Sequence, residues 1–188
     1  MPIDANTLKE FRYYDTFIET GCGSGFGIDA ALAAGFKEIY SIELYRIKYE
    51  PVRMRFLNNP MVSIILGHSS SILVGLLPAL SLTPCVFWLD AHYDFQMRGE
   101  GNNLEDVAPI LKELDAIKNF SKVKNHTILI DDLNDFRKPK PHYHNITEED
   151  IKKKILEINP AYKFATLDGV LSNGTVHKKT ILLAEVPQ

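Results

Sequence analysis

The chain has 188 residues, of which 45% are hydrophobic and 24% are charged, and its formal net charge is −3. This length suits one domain, residues 1–188, with a sizeable core, and the composition is ordinary for a soluble globular protein. The slightly acidic balance gives no reason to expect a nucleic-acid partner, and no apolar run is long enough to predict a membrane span. The two cysteines, Cys22 and Cys85, lack metal-ligand spacing, and the first residues lack a signal-peptide pattern, so we expect a cytoplasmic protein.

The first predicted strand runs into a glycine-rich turn. Residues 16–18 have the β-branched and aromatic character of a buried strand, and residues 28–34 are alanine-rich and predict a helix. Between them, glycine occupies positions 21, 23, 25 and 27. Backbone N–H groups in such a turn can approach an anionic or polar ligand closely, because no Cβ stands in the way.

The glycine spacing does not fit the turn of a dinucleotide-binding fold. A dinucleotide-binding fold places G-x-G-x-x-G directly after its first strand. Counted from Gly21, this pattern fails at Phe26, and the shifted form Gly25-Phe-Gly27-Ile-Asp-Ala30 begins four residues too late. An ordinary glycine-rich turn that binds nothing stays open as the alternative.

The second and third predicted strands end in further candidate ligand contacts. Residues 37–44 alternate and end near Glu43, where a carboxylate about 20 residues beyond the glycines can accept both ribose hydroxyls of a nucleoside. An acid that binds both ribose hydroxyls occurs in folds for NAD and for S-adenosylmethionine (SAM), so Glu43 does not distinguish the two cofactors. The alternative is that Glu43 is a solvated acid at the end of a strand. Residues 62–66 predict the third strand, followed by Gly67-His-Ser-Ser70 and an apolar helix to about residue 80.

The second half of the chain predicts two apolar strands, each ending in acid. Residues 85–90 end at Asp90, and residues 126–132 end at Asp131 and Asp132. A loop over residues 95–104 and a helix with an apolar face over residues 104–117 lie between them. A capped helix from Thr147 and two strands, residues 162–171 and 180–186, joined by the hairpin signal Ser172-Asn-Gly174, complete the chain.

This pattern resembles the class I SAM-dependent methyltransferases over nearly the whole chain. Glu19-x-Gly21-x-Gly23-x-Gly25 is similar to their first motif, and five β/α units followed by a hairpin resemble their sheet. The resemblance implies an α/β, Rossmann-like three-layer sandwich with a seven-stranded, mostly parallel sheet and a C-terminal antiparallel hairpin. It also implies a set of SAM-binding residues: Glu19, Gly21, Cys22, Gly23, Ser24, Gly25, Glu43, Leu44, His68, Ser69 and Asp90. His68 stands where these enzymes commonly have Asp, although an imidazole can also hydrogen-bond to adenine or stack on it.

The acids after the fourth and fifth strands suggest a metal site. If the two strands are neighbours, Asp90, Asp131 and Asp132 lie within a few ångströms and repel one another unless a cation sits among them. An oxygen-only site of this kind suits Mg²⁺, Mn²⁺ or Ca²⁺. Acids that cap loops without any metal are the alternative.

The same acidic segments resemble those of metal-dependent O-methyltransferases of the macrocin and catechol types. Leu89-Asp-Ala-His-Tyr93 and Ile128-Leu-Ile-Asp-Asp132 carry the likeness. It implies that Asp90, Asp131 and Asp132 hold the ion and that a hydroxyl of a small molecule or a sugar accepts the methyl group. His92 is the candidate base beside Asp90, because imidazole titrates near neutral pH; Asp94 is the alternative base.

Other functions stay open at this point. A SAM-fold binding or scaffold protein without methyl transfer, an NAD-binding Rossmann protein and a metal-dependent hydrolase all fit part of the pattern. The acceptor pocket is either open, roofed by the loops at 94–103 and 133–146, or completed by a second subunit in a homodimer. The second of these loops is basic, which predicts either a solvated turn or a clamp for an anionic substrate. Its cationic residues are Arg137, Lys138, Lys140, His142 and His144.

Overall fold

Seven strands form one sheet within the residues that the computed structural model describes, namely 3–80, 82–92, 108–138, 140–171 and 173–187. The predicted loop at 95–104 and the predicted start of its helix lie outside these residues. The strands are β1 (Thr16–Thr20), β2 (Glu38–Glu43), β3 (Val62–Leu66), β4 (Val86–Leu89), β5 (Thr127–Ile130), β6 (Lys163–Val170) and β7 (Val176–Glu185).

The sheet has the order β3-β2-β1-β4-β5-β7-β6. The first five strands pair in parallel, and β7 lies antiparallel between β5 and β6. A dinucleotide-binding sheet has the order 3-2-1-4-5-6 without such an insertion, so the topology disfavours the NAD-binding alternative. The predicted mostly parallel, seven-stranded sheet with a C-terminal antiparallel hairpin is confirmed.

Helices cover both faces of the sheet. They are α1 (Ala5–Lys9), α2 (Phe26–Ala34), α3 (Arg46–Arg55), α4 (Ser69–Leu76), α5 (Ile110–Phe120), α6 (Leu133–Arg137) and α7 (Glu148–Ile158). Side chains of α1, α2 and α3 pack on one face with Phe17 and Trp88, while α4, α5, α6 and α7 pack on the other with Ile18 and Phe87. Because successive residues of a strand point to opposite faces, the strands of the sheet supply side chains to both cores. None of the described helices has the length and apolar character that a membrane span requires.

The last strand begins earlier than its sequence predicts. We expected β7 from residue 180, but it starts at Val176. Backbone pairing with β6, in which Val170 lies opposite Val176 and Gly169 opposite His177, supplies the hydrogen bonds that extend it. Cross-strand pairing therefore overrides the local composition.

The buried His126 links the amino-terminal ends of β4 and β5 to the carboxyl-terminal end of α5. The amide of Cys85 donates to His126 Nδ1 at 3.0 Å, and His126 Nε2 lies 2.8 Å from the hydroxyl oxygen of Ser121. Since Nδ1 accepts, Nε2 carries the proton and the ring is neutral. Burial, the main cause, lowers the pKa of His126 from 6.5 to about 4.

We predict that this histidine makes stability depend on pH. The unfolded chain binds a proton at His126 below pH 6.5 and the folded one only near pH 4, so the contribution is present above pH 6.5 and is lost as pH falls through this window. The loss amounts to about 3 kcal/mol. Urea unfolding at pH 7 and pH 4.5 measures this contribution as the difference between wild type and His126→Asn, which keeps an acceptor near Nδ1, because the other titrating groups contribute equally to both proteins. The exposed control His177→Asn should keep it; an H126N slope equal to that of wild type contradicts the assignment.

Candidate active site

The glycine loop, residues 21–25, joins β1 to α2 at the carboxyl end of the sheet. Gly21 has φ of 82°, and its amide donates to the carbonyl of Ile42 at 2.8 Å. A Cβ at Gly21 would lie 2.8 Å from the backbone oxygen of Asp90. Glycine is therefore required here twice, once for the positive φ and once for the close approach of the chain that follows β4.

An arginine from α3 holds the far end of the glycine loop. Gly25 caps α2 with φ of 83°, and Arg55 Nη2 donates to its carbonyl and to the Asp29 carboxylate, each at 2.9 Å. The Arg55 guanidinium also lies 4.4 Å from the centre of the Phe56 ring. Arg55 thus links the glycine loop, α2 and α3.

Glu43 binds the glycine loop from the end of β2. Its Oε2 accepts the amide of Gly23 at 3.2 Å and its Oε1 accepts the amide of Tyr45 at 2.9 Å. Each carboxylate oxygen has a second lone pair, so both can also accept a ribose hydroxyl. Glu43 is buried, whereas the neighbouring Leu44 is 42% exposed.

Glu19 lies beneath the glycine loop rather than on its surface. It is fully buried; its Oε2 accepts the hydroxyl of Ser41, and its Oε1 has no partner among the described residues. Burial raises the pKa of Glu19 to about 8, so it carries a proton at neutral pH. Burial, with the charges of Glu43 and Glu19, also raises the pKa of Cys22, which therefore stays a thiol.

The turn after β3 leads into α4 at the carboxyl end of the sheet, the end at which the glycine loop also lies. His68 Nδ1 lies 3.1 Å from the hydroxyl oxygen of Ser70, and Ser69 is buried as the first residue of α4. Phe26 and Met54 are 45% and 60% exposed. Neither side chain is therefore packed into the region above the glycine loop, where a cofactor is expected.

A further buried acid, Glu113, lies close to these turns and was not predicted from the sequence. Glu113 on α5 is fully buried beside the hydroxyls of Thr20 and Ser69, and its two carboxyl oxygens make no hydrogen bond within the described residues. Burial raises the pKa of Glu113 to about 7. Its signal in the sequence was a carboxylate inside the apolar stripe of Ile110, Leu114 and Ile117.

Asp90 after β4 and Asp132 after β5 lie close to His92. His92 Nδ1 is 3.7 Å from Asp90 Oδ1 and 3.5 Å from Asp132 Oδ2. One ligand atom from each of these three residues lies within 4.8 Å of the other two, a spacing at which they could hold a metal ion. The alternative base, Asp94, lies outside the described residues.

Burial and mutual repulsion set the charge of this acid cluster, which we define as Asp90, His92, Asp131 and Asp132. Burial, with the charges of Asp131 and Asp132, raises the pKa of Asp90 well above its usual range; burial and Asp132 do the same for Asp131. Asp131 Oδ1 is buried without a partner among the described residues. Asp132 has φ of 54°, a conformation rare outside glycine that redirects the chain between the two adjacent acids.

A cation fits this donor set. The cavity lined by the acid cluster has a volume of about 20 Å³, which accommodates one ion or one water molecule. A divalent cation between Asp90 and Asp132 would relieve the repulsion among these carboxylates. The predicted ligand set of Asp90, Asp131 and Asp132 stays a prediction, and His92 is a further candidate ligand.

The opposite wall of the cavity is apolar and was not predicted. It consists of Ala108, Ile110, Phe136 and Tyr143. Burial, with the charges of Asp132, Asp135 and Asp90, raises the pKa of Tyr143, so its phenol stays protonated. The sequence-based prediction for the loop at 133–146 concerned its cationic residues. The side chain of one of them, His142, lies outside the described residues.

Two cations of the loop are held by the protein itself. Arg137 donates to Glu148 Oε2 and to the carbonyl of Lys179, each at 2.9 Å, and the Lys140 ammonium lies 2.6 Å from Asp135 Oδ1. These partners favour the structural interpretation of the two cations over a clamp for an anionic substrate.

Comparison with solved structures identifies the fold. An O-methyltransferase from Bacillus cereus in complex with S-adenosylhomocysteine (SAH) matches with a TM-score of 0.66 and 14% identity, over 97% of this chain and 78% of that one. The O-methyltransferase TomG from Streptomyces achromogenes, in complex with SAM, matches with 0.60 and 14%, over 98% and 78%. An SAH-bound methyltransferase from Podospora anserina matches with 0.59 and 14%, over 98% and 76%. The chain has the class I methyltransferase fold. Neither a protein-family model nor a curated protein matches the sequence.

We predict that the methyltransferase fold depends more on glycine at position 21 than on glycine at position 174. Gly21→Ala should cost about 2–5 kcal/mol of unfolding free energy, because it adds a clash with Asp90 to the cost of alanine at positive φ. Gly174→Ala is the matched control: its φ of 81° is nearly the same, and its Cβ would meet nothing within 4 Å. The control should lose only about 1–2 kcal/mol in urea unfolding. Equal losses for the two variants contradict the close approach.

Proposed function

We propose that this protein is a SAM-dependent methyltransferase that transfers a methyl group to a hydroxyl of a small molecule. The observation that carries the proposal is the contact between the glycine loop and the acid cluster, in which Gly21 lies against the backbone of Asp90. A cofactor on the loop and an acceptor at the acids would therefore be neighbours, as an in-line transfer requires. The SAM and SAH bound to proteins of the same fold support this choice of cofactor.

The residues around the glycine loop suit each part of SAM. The Glu43 carboxylate would accept hydrogen bonds from the ribose hydroxyls, as acids at the end of the second strand do in nucleotide-binding sheets. Leu44, His68 and Ser69 would border the adenine ring. Gly21 and Gly23 would let the backbone approach the amino-acid part, and the protonated Glu19 supports the loop from beneath.

His92 would act as the base that takes the proton of the acceptor hydroxyl. Its Nδ1 faces the carboxyl groups of Asp90 and Asp132, which would orient the ring. Its Nε2 is then the atom that receives the proton. A divalent cation, when bound by the acids, supplies positive charge that lowers the pKa of the acceptor hydroxyl.

A binding protein that carries SAM without methyl transfer is the second candidate. The small volume of the cavity at the acid cluster, about 20 Å³ among the described residues, favours it. The two functions differ in one respect: only the enzyme transfers the methyl group of SAM to an added acceptor.

Methyl transfer from labelled SAM to a panel of hydroxyl-bearing acceptors tests the proposed activity. We expect incorporation of label with wild type, and turnover lowered about 10²–10⁴-fold in His92→Ala, which removes the base. Calorimetry should show SAH binding unchanged in His92→Ala and weakened about tenfold or more in Glu43→Ala, since hydrogen bonds to a charged group are lost. Glu38→Ala, at the other end of β2, is the control. Binding of SAH with no transfer to any acceptor would favour the second candidate; binding of NADH in its place would contradict both.

Thermal melting tests the metal. Mn²⁺ or Mg²⁺ at about a hundredfold excess over its Kd should stabilise the protein by roughly 2.7 kcal/mol through mass action. Asp132→Asn should lose most of this gain and keep SAH binding, because Asp132 follows β5 and the contact of the glycine loop is with Asp90. Asp168→Asn, on the exposed part of β6, should keep both. A melting temperature that no divalent cation changes would remove the metal from the proposal and leave His92 as an unaided base.

A further inference from the structure

We propose that the free edge of β3 is the interface of a homodimer, in which β3 pairs antiparallel with β3 of a second copy of this chain. The interface consists of the strand Val62–Leu66 with the exposed side chains of Leu57 and Met61, a surface that we name the β3 edge. It contains no residue of the glycine loop or of the acid cluster. The oligomeric state can therefore be measured without a cofactor, a metal or an acceptor.

β3 is the terminal strand of the sheet, and one of its sides is unpaired among the described residues. The amide of Ile39 on β2 donates to the carbonyl of Met61 at 2.8 Å, and the amide of Gly67 donates back to β2 at 2.8 Å. The odd-numbered residues therefore direct their backbone groups toward β2, since these directions alternate along a strand. The N–H and C=O groups of Ile64 and Leu66 point away from the sheet, where an added strand can bind them.

The two edges of the sheet differ in how they are protected against pairing. At the other edge, β6 carries Lys163 and Asp168, and its pairing with β7 shifts register between Leu167 and Gly169. Charges and irregularities of this kind keep an exposed edge from pairing with another chain. β3 has neither, because its sequence VSIIL is uncharged and its register with β2 runs over Val62–Leu66 without a shift. β3 is therefore the edge that suits strand pairing.

The sequence around β3 is free of charged residues over a long stretch. No Asp, Glu, Lys or Arg occurs from residue 56 to residue 89, although 24% of the chain is charged. Burial accounts for part of this segment, but Leu57 and Met61 are 54% and 41% exposed, and Ser63 is exposed between them and the sheet's edge. The centres of protein interfaces are depleted of charge in the same way, and grouped exposed apolar residues mark such surfaces.

The chemistry of the β3 edge favours a second copy of the chain as the partner. A two-fold interface places a surface against its own copy, so a surface with charge of one sign would repel itself. The β3 edge carries neither sign. It also offers no charge by which an acidic or a basic partner would be recognised. A neutral strand with free backbone groups is complementary to itself, since each copy supplies the donors and acceptors that the other needs.

Antiparallel pairing centred on Ile64 satisfies both copies in the same way. Ile64 would lie opposite its own copy, and Val62 opposite Leu66 of the second chain. The amide of Val62 already donates to the carbonyl of Asn59 at 3.1 Å, so about four hydrogen bonds remain for the contact between the chains. The apolar side chains of the two strands, with Leu57 and Met61 beside them, would supply the rest of the contact.

This dimer would leave the acid cluster outside the interface. Counted from β3, the strand order places β2 and β1 before β4 and β5, the strands that the acids follow. A second copy at the β3 edge therefore does not complete the acceptor pocket.

Sedimentation equilibrium of the full chain at about 1 to 100 µM tests the dimer. We expect wild type to have the mass of two chains. Ser63→Lys should raise the dissociation constant about hundredfold or more, because Ser63 is exposed in the single chain and the dimer would bring two lysines together in an apolar contact. Ala165→Lys is the matched control and should leave the constant unchanged, since Ala165 is exposed on the other edge strand.

Two results of this measurement overturn the proposal. A wild type that stays monomeric over the whole range shows that the β3 edge does not bind its own copy. A dimer that Ser63→Lys does not weaken uses another surface. Thermal melting of both lysine variants establishes that each is folded before the constants are compared.

Spin labels locate the contact without breaking it. Cys22 and Cys85 are buried, so a nitroxide reagent reacts selectively with a cysteine introduced at an exposed position. With pairing centred on Ile64, labels on Ser63→Cys would be attached about 8 Å apart, and dipolar coupling should broaden their spectrum. Dilution with unlabelled chain should remove the broadening, and Ala165→Cys should show none. A spectrum at position 63 as sharp as that at position 165 overturns the strand pairing.

Discussion

The burial of carboxyl groups at one edge of the sheet is the constraint on which this structure depends. Glu19, Asp90, Glu113 and Asp131 are all desolvated there, and burial is the first cause of the raised pKa of each. A buried charge is tolerated only when a proton, a hydrogen bond or an opposite charge compensates it. Several of these carboxyl oxygens lack a protein partner among the described residues. Raised pKa values compensate these groups with protons, and a ligand at this edge, as proposed, would supply further partners.

The strand order explains why cofactor and acceptor sites would meet at this edge. The strand order reverses at β1, which has β2 on one side and β4 on the other. In sheets of this kind a crevice opens at the carboxyl ends of the strands beside this point. Gly21 follows β1 and lies against Asp90, which follows β4; Asp131 and Asp132 follow the neighbouring β5. The absence of a side chain at one residue thus sets the distance between the glycine loop and the acid cluster.

The features predicted from sequence are those fixed by local pattern. The glycine loop, the acids at the strand ends and the sheet with its final hairpin each follow from residues close together in the chain, with the family resemblance supplying the strand order. The inward position of Asp131 and the outward one of Asp132 depend on a left-handed residue that the pattern does not reveal. Glu113 and Tyr143 were missed because their surroundings come from distant segments: Thr20 and Ser69 for the first, Phe136 and Ala108 for the second.

We propose that one edge of the sheet holds a SAM-type cofactor and a divalent cation side by side. A crystal structure with SAH and Mn²⁺, with the anomalous scattering of manganese recorded, tests this arrangement. We expect SAH on residues 21–25 with its ribose on Glu43, and a manganese peak between Asp90 and Asp132, on the side where the SAH sulfur points. SAH bound elsewhere, or a glycine loop that stays empty at saturating SAH, would contradict it.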